Sequence, residues 1–294
     1  MARTRLRGLE IAGIQIGIEV PEVYDWEWPE GPVAEYRCFP YEPEVHVGVR
    51  VGTLTSEDLG GERYAVGSWT FEVARQQRDW QLGLSRGGRR VQLAHFDDGF
   101  RTGEVIVSPE FAERRAYPLE GPLEEWIVLQ RTVARGGLCI IATAEAVDGG
   151  ALLRLGASLT SGRRACPDSS LLGRHTVLVR EEQGLQKVFR APWSTAIDGR
   201  LGSRSLLREV QAIEPAPVPF DTRLDPIEAA ERIVTYAVVP LCDETLLDGV
   251  LRNAQRIARN TPLRELGRMP AKLDSMNAWR AAQQGGAFAT PPVW

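Results

Sequence analysis

The sequence predicts an α/β protein, α+β overall, in two parts: a β-rich N-terminal domain over residues 1–112 and a second domain over 113–294 that closes with helices and a short tail. Three observations predict it. Short runs with strict apolar/polar alternation recur through the first part, which is the period of a half-buried strand. The spacing becomes helical at Leu123–Val133. A strand–turn–strand pattern then leads into a glycine-containing loop, Leu153-Arg-Leu-Gly-Ala-Ser-Leu-Thr-Ser-Gly-Arg-Arg-Ala165, where a nucleotide-binding fold places its phosphates.

Size and composition set bounds. A chain of 294 residues with 43% hydrophobic content can bury two cores. With 35 basic against 39 acidic side chains and a net charge of −4, there is no basic excess for counterion release, so nucleic acid is not an expected partner. No stretch approaches the roughly twenty apolar residues of a membrane span, and Met1-Ala-Arg-Thr-Arg-Leu-Arg7 lacks an apolar targeting core. The expected location is cytoplasmic, without membrane contact. Cys38, Cys139, Cys166 and Cys242 lack C-x-x-C spacing, and His46, His95 and His175 are dispersed. No metal site and no cofactor is expected, and the cysteines read as free thiols.

In chain order, Val45–Val51 and Trp69–Val73 alternate, and Trp80–Leu84 and Arg90–Ala94 flank the turn Arg86-Gly-Gly-Arg89. Together they predict a meander of short strands with one buried face. Pro21–Pro43, rich in Pro, Glu and aromatics, reads as an irregular loop lying on that sheet, its rings used for packing. Leu123–Val133, stopped by Gly136 and Gly137, is expected to open the second domain. Strands follow at Leu138–Ile141, Ala151–Leu155, Thr176–Arg180 and Gln186–Arg190, the last two around Gln183-Gly184. Asp225-Pro-Ile-Glu228 is a capping box that starts a helix running to about Val238. Asp243 caps another, which runs to Arg259 and stops at Asn260 and Pro262.

The loop itself departs from working phosphate chemistry. A functional loop reads G-x-x-x-x-G-K-[ST], with backbone N–H groups around the phosphates, Lys on the β/γ oxygens and a hydroxyl on Mg²⁺. After Gly156 the second glycine, Gly162, comes one residue late. Arg163 stands at the Lys position and Arg164 at the hydroxyl position, with no oxygen for a hard cation. Arg163, Arg164 and Arg174 could still capture an anion, but a solvated surface loop is the favoured reading of them. Asp97 and Asp98 are adjacent on a turn, where side chains point apart, and are not read as an acid/base pair.

The order of elements resembles the HPr kinase-like family, and within it the HprK-related branch. The resemblance rests on Phe96-Asp-Asp-Gly-Phe-Arg-Thr-Gly-Glu-Val105, Val188-Phe-Arg-Ala-Pro-Trp193 and Leu224-Asp-Pro-Ile-Glu-Ala-Ala230 and covers nearly the whole chain. It implies a P-loop-type second domain. It also implies losses: the family's His-Ala pair falls on Ile141-Ala142, and its Ser-Asp-Asp motif on Gly173-Arg174-His175, which has no carboxylate. The lost acid/base position is thus Arg174 and His175, and His175 reads as structural. Between Gly162 and Gly173, with Pro167 inside, there is room for about two helical turns after the loop. Phosphoryl transfer needs positioned phosphates, metal and an oriented nucleophile.

What the resemblance implies is therefore a pseudokinase with no catalytic residues. Its partner would be a precursor (leader) peptide or small protein, presented to modifying enzymes as in ribosomal peptide pathways of the crocagin type. Homo-oligomers are common in such a family. The alternatives are an active kinase or phosphotransferase with a rebuilt nucleotide site, and a regulatory subunit of a catalytic homologue. An extended peptide would be recognised by strand addition in the first domain, with Trp69 and Trp80 as the candidate contacts.

Overall fold

The computed structural model describes residues 3–147, 149–156, 170–173, 175–193, 204–239 and 243–268. The chain is mixed α/β, α+β overall, with two large sheets and four α-helices among the described residues. It divides into two compact units. The first comprises Met1–Arg135 with Ala191–Trp193 and Pro240–Leu246, and the second Gly136–Arg190, Ser194–Val239 and Leu247–Trp294.

The first unit holds nine strands: β1 (Thr4–Ile11), β2 (Ile14–Pro21), β3 (Arg37–Cys38), β4 (Val45–Val51), β5 (Glu62–Val66), β6 (Trp69–Gln76), β7 (Asp79–Arg86), β8 (Arg89–Phe96) and β9 (Thr102–Val107). They form one sheet in the order β3-β1-β2-β4-β9-β8-β7-β6-β5. Of the strands expected to form the meander, β6, β7 and β8 are antiparallel neighbours and continue into β5 and β9, but β4 is not part of it: it runs parallel to both β2 and β9. Two-residue turns close the β1–β2, β5–β6, β6–β7 and β7–β8 hairpins. Ala12 and Gly13 both have positive φ between β1 and β2, as Gly87 and Gly88 do between β7 and β8, and this matches the strand twist.

Period two places Phe71, Val73, Trp80, Leu82, Leu84, Ala94, Phe96 and Val105 on one buried face. After the short α1 (Pro109–Glu113), capped by Ser108, helix α2 (Pro122–Ala134) covers this face. The Trp126 ring lies 5.9 Å from Phe71 and 6.5 Å from Trp80. Arg131 donates to Glu44 from Nε at 2.8 Å and to the Gly99 carbonyl at 2.6 Å, and Arg135 also pairs with Glu44. This corrects the expected boundary at 112/113, because α2 belongs to the first unit. The apolar sheet face requires a cover, and α2 supplies it.

The second unit contains β10 (Leu138–Ile141), β11 (Thr143–Val147), β12 (Gly150–Leu155), β13 (Ser170–Gly173), β14 (Thr176–Glu182), β15 (Leu185–Arg190), β16 (Arg204–Pro215), β17 (Phe220–Arg223) and β18 (Leu263–Arg268). The order is β10-β14-β15-β16-β12-β11-β13, and β18 pairs with both β16 and β17. The twelve-residue β16 is the hub: it meets β15 antiparallel at its start, then β12 and β18, both parallel. Helix α3 (Pro226–Thr235) begins with the expected capping box at Asp225 and Glu228 and ends short of Val238. Helix α4 (Glu244–Asn260) follows Asp243, whose carboxylate accepts from the Leu246 N–H at 3.1 Å. No helix among the described residues is long and apolar enough to cross a membrane. The segment expected as a tail, 283–294, lies outside the described residues.

Covering the sheet buries two adjacent carboxyls at the start of α2. Burial raises Glu124 to about 7, against the opposing effect of the hydrogen bond from Tyr117. Burial, with the neighbouring Glu124 charge, raises Glu125 to about 8. Both hold a proton more tightly folded than unfolded, so their contribution to stability is greatest below about pH 4.5 and is lost as pH rises through 7 to 8. The expected result is a melting temperature that falls between pH 5 and 9, with a flatter profile in the Glu124→Gln/Glu125→Gln double variant. Thermal unfolding followed by circular dichroism across that range checks it.

Candidate functional site

Two places in the structure gather polar side chains that could act on a ligand, one in each unit. In the second unit, β12, β16 and β18 run parallel, so their carboxyl ends share one end of the sheet, the position where open α/β sheets hold ligands. Gly156 follows β12 at φ +65°, and a Cβ there would lie 2.6 Å from the Tyr236 hydroxyl and 2.8 Å from the Ile213 carbonyl. Glycine is the residue this close approach permits.

Around that end stand Glu214 of β16, Glu265 of β18, and Arg232 and Tyr236 from the end of α3. Arg232 pairs with Glu214 at 3.3 Å and also with Glu265. Burial raises Glu214, with Arg232 opposing and Glu265 adding to the rise. Burial likewise raises Tyr236, with Glu214 contributing. Gly162, Arg163, Arg164 and Arg174 lie outside the described residues. His175 is described: it is exposed, with φ +69°, at the turn into β14. Among the described residues no group of three or more His, Cys, Asp or Glu could hold a metal ion.

The two tryptophans proposed as peptide contacts have different surroundings. Trp80 is 1% exposed and packs against Phe100 and Trp126. Its ring belongs to the core, so it is withdrawn as a surface contact. Trp69 is half-buried at the end of the same sheet face, opposite Arg86, whose guanidinium carbon lies 5.1 Å from the ring centre.

The first unit contains an open cleft of about 480 Å³, lined by Arg7, Asp25, Trp28, Glu30, Arg37 and Arg115 among others. Most of it is built from the Pro21–Pro43 segment, whose rings differ in burial: Phe39 and Tyr41 are exposed, against the expectation of packing. Tyr24 and Trp26 are buried, as expected of packing. Trp26 and the half-buried Trp28 both line the cleft, and Trp28 lies 4.5 Å from Trp26 and 5.7 Å from Tyr117 between ring centres. Arg7 lies over Trp26 at 4.8 Å and Arg37 over Trp28 at 5.7 Å. Asp25 is shared by three guanidiniums, Arg5 at 3.3 Å, Arg7 at 3.2 Å and Arg115 at 2.7 Å. Stacked guanidiniums with spare N–H donors beside an aromatic wall suit a carboxylate and an apolar side chain. The sequence signal was the alternation of acids and aromatics in 24–28. Its arginine partners come from β1, β3 and the end of α1, and no local spacing links them.

Comparison with models of known protein families finds no match, and comparison with curated proteins finds none either.

The contrast between the tryptophans is measurable. Trp80→Ala is expected to cost about 3–5 kcal/mol, the usual range for emptying a buried aromatic site, and Trp69→Ala less than about 1 kcal/mol. Urea unfolding of both variants, followed by far-UV circular dichroism, checks the difference.

Proposed function

We propose that this chain is a non-catalytic, HPr kinase-like pseudokinase of the cytoplasm. It holds a precursor peptide or small protein and presents it to modifying enzymes in ribosomal peptide biosynthesis. The observation that carries the reading is the chemistry at the carboxyl ends of β12, β16 and β18. A phosphate cradle needs donors there, yet Glu214 and Glu265 bring carboxylates, and the Tyr236 hydroxyl crowds Gly156. Carboxylates repel phosphate oxygens, and Arg232 is already engaged by both of them. Arg163 and Arg164 in place of Lys and Ser/Thr support the same reading from the sequence. A strand end at which the described residues bring carboxylates in place of phosphate donors still leaves surfaces for binding elsewhere, and the cleft of the first unit is one.

Titration calorimetry with ATP and Mg²⁺ is expected to give no heat of binding, and GTP the same. Micromolar affinity that depends on Mg²⁺ would overturn the proposal in favour of a kinase with a rebuilt site. A parallel titration with any precursor-type peptide found encoded beside the gene is expected to show saturable binding without nucleotide.

The Arg163→Lys/Arg164→Ser double variant is expected to stay inactive in a phosphoryl-transfer assay with radiolabelled ATP. The carboxylates and the missing acid/base position would remain, so positioning would still be absent.

A further inference from the structure

The backbone edge beside the cleft is open, and the pairing pattern shows which groups it offers. The Glu22 N–H donates to the Arg3 carbonyl, and the β1–β2 register continues from that pair. Arg3, Arg5, Arg7 and Leu9 therefore turn their backbone groups toward β2, and Thr4, Leu6 and Gly8 turn theirs away. Gly8 is met by β3, which pairs only Gly8 with Cys38 and Leu9 with Arg37. Pro40 ends that strand. Two residues past Cys38 it would stand opposite Leu6, but it has no N–H to donate, and it packs over the face of Gly8, where a Cβ would lie 2.6 Å away. Thr4 and Leu6 thus present outward N–H and C=O groups with no strand partner among the described residues, on a stretch of β1 that is exposed.

The side chains flanking this edge select what can bind. By period two, Arg3, Arg5 and Arg7 share one face of β1, and Arg37, paired with Leu9, stands on that face too. The cleft lies there, with Trp28 and the Arg37 guanidinium in its wall. The other face carries Leu6, 41% exposed. A second copy of this chain pairing antiparallel along the same edge would set Arg3, Arg5 and Arg7 against their own counterparts, an arrangement of like charges that destabilises a sheet.

The geometry points to the Thr4–Arg7 edge of β1 and the adjoining Trp28 cleft as the binding site for an extended acidic peptide. The peptide adds a short strand at Thr4 and Leu6. It places carboxylates at alternate positions over Arg37 and over the donors that Arg5 and Arg7 keep beyond Asp25, the carboxylate they already share, and an apolar side chain against Leu6 on the opposite face. This deepens the peptide-binding reading above and rests on it, and it moves the contact from Trp69 and Trp80 to the other end of the sheet.

The test is selection of a random dodecapeptide display library against the full chain. The enriched peptides are then synthesised, and their affinity is measured by fluorescence anisotropy. Asp or Glu at alternate positions is the expected enrichment. Leu6→Pro removes one outward N–H and leaves the β2 ladder intact, and is expected to weaken binding at least tenfold; Arg37→Glu is expected to do the same. Should Leu6→Pro fail to fold by circular dichroism, N-methylation of alternate amides in the peptide carries the same test without touching the protein, again with a tenfold loss expected. Hydrogen exchange is expected to slow at the Thr4 and Leu6 amides and not in β5. Enriched peptides that are indifferent to all these changes, or that protect β5, overturn the site and leave peptide binding standing. A library that enriches nothing above a lysine-substituted control overturns the site and counts against the peptide-binding reading itself. Concentration-dependent dimerisation that Leu6→Pro abolishes overturns the choice of a peptide over a second copy.

Discussion

Strict alternation along β6 to β9 creates an apolar face, and the burial of that face beneath α2 is the interaction on which the first unit depends. The helix is buried on more than its apolar side. Glu124, Gln130, Arg131 and Thr132 go down with Trp126, Ile127 and Val128. Buried polar groups are costly unless paired, so their partners define how the helix can sit. Glu124 accepts from Tyr117 at 2.7 Å, Gln130 donates to Asp243 at 3.3 Å, and Arg131 divides its donors between Glu44 and the Gly99 carbonyl. Apolar burial supplies the driving force, and the polar contacts fix orientation along a face that would otherwise accept several.

In the second unit the organising element is β16. It exchanges neighbours along its length, pairing with β15 over Arg204–Leu206, with β12 from Leu207 and with β18 from Val210, so that Val210–Ala212 are paired on both edges. The parallel pairings bring the ends of strands distant in sequence to one place. Gly156, Glu214 and Glu265 become neighbours of the α3 terminus for that reason alone. The same topology that would gather phosphate donors here gathers two carboxylates around one guanidinium.

Part of this fold is legible in the sequence. The β6-β7-β8 part of the meander, the 86–89 turn, the Asp225 capping box and the Asp243 cap rest on local periodicity or cap chemistry and stand where expected, whereas β4 left the meander and β1, β2, β3, β5, β9, β13 and β17 were not read as strands. β16 was not read as a strand. Its register shifts against β12 near Ala151 and Leu152, so its buried positions change parity partway and no single alternation runs through it. β11 and β18 escaped for a related reason, since their polar residues are tolerated through pairing: Glu145 with Arg154 at 3.6 Å, and Arg264 with Asp221 at 2.6 Å. The cleft was half legible. Its aromatics were noticed and assigned to packing, which holds for Tyr24 and Trp26, holds in part for Trp28, which packs on Trp26 and Tyr117 while lining the cleft, and fails for the exposed Phe39 and Tyr41. The arginines that face it are separated by up to about a hundred residues, and only the tertiary structure unites them.

Asp25 illustrates how much of a surface field can hang on one side chain. Individually, its contacts with Arg5, Arg7 and Arg115 are partly exposed pairs of the kind that add little to stability. Collectively they hold one carboxylate among three guanidiniums, with Glu27 as a second partner of Arg115. Changing Asp25 to an uncharged residue would hardly disturb the fold, but it would remove the charge that most offsets these arginines. A single base change in the gene would thus strengthen the attraction of this face for polyanions, with no new contact built and no element moved.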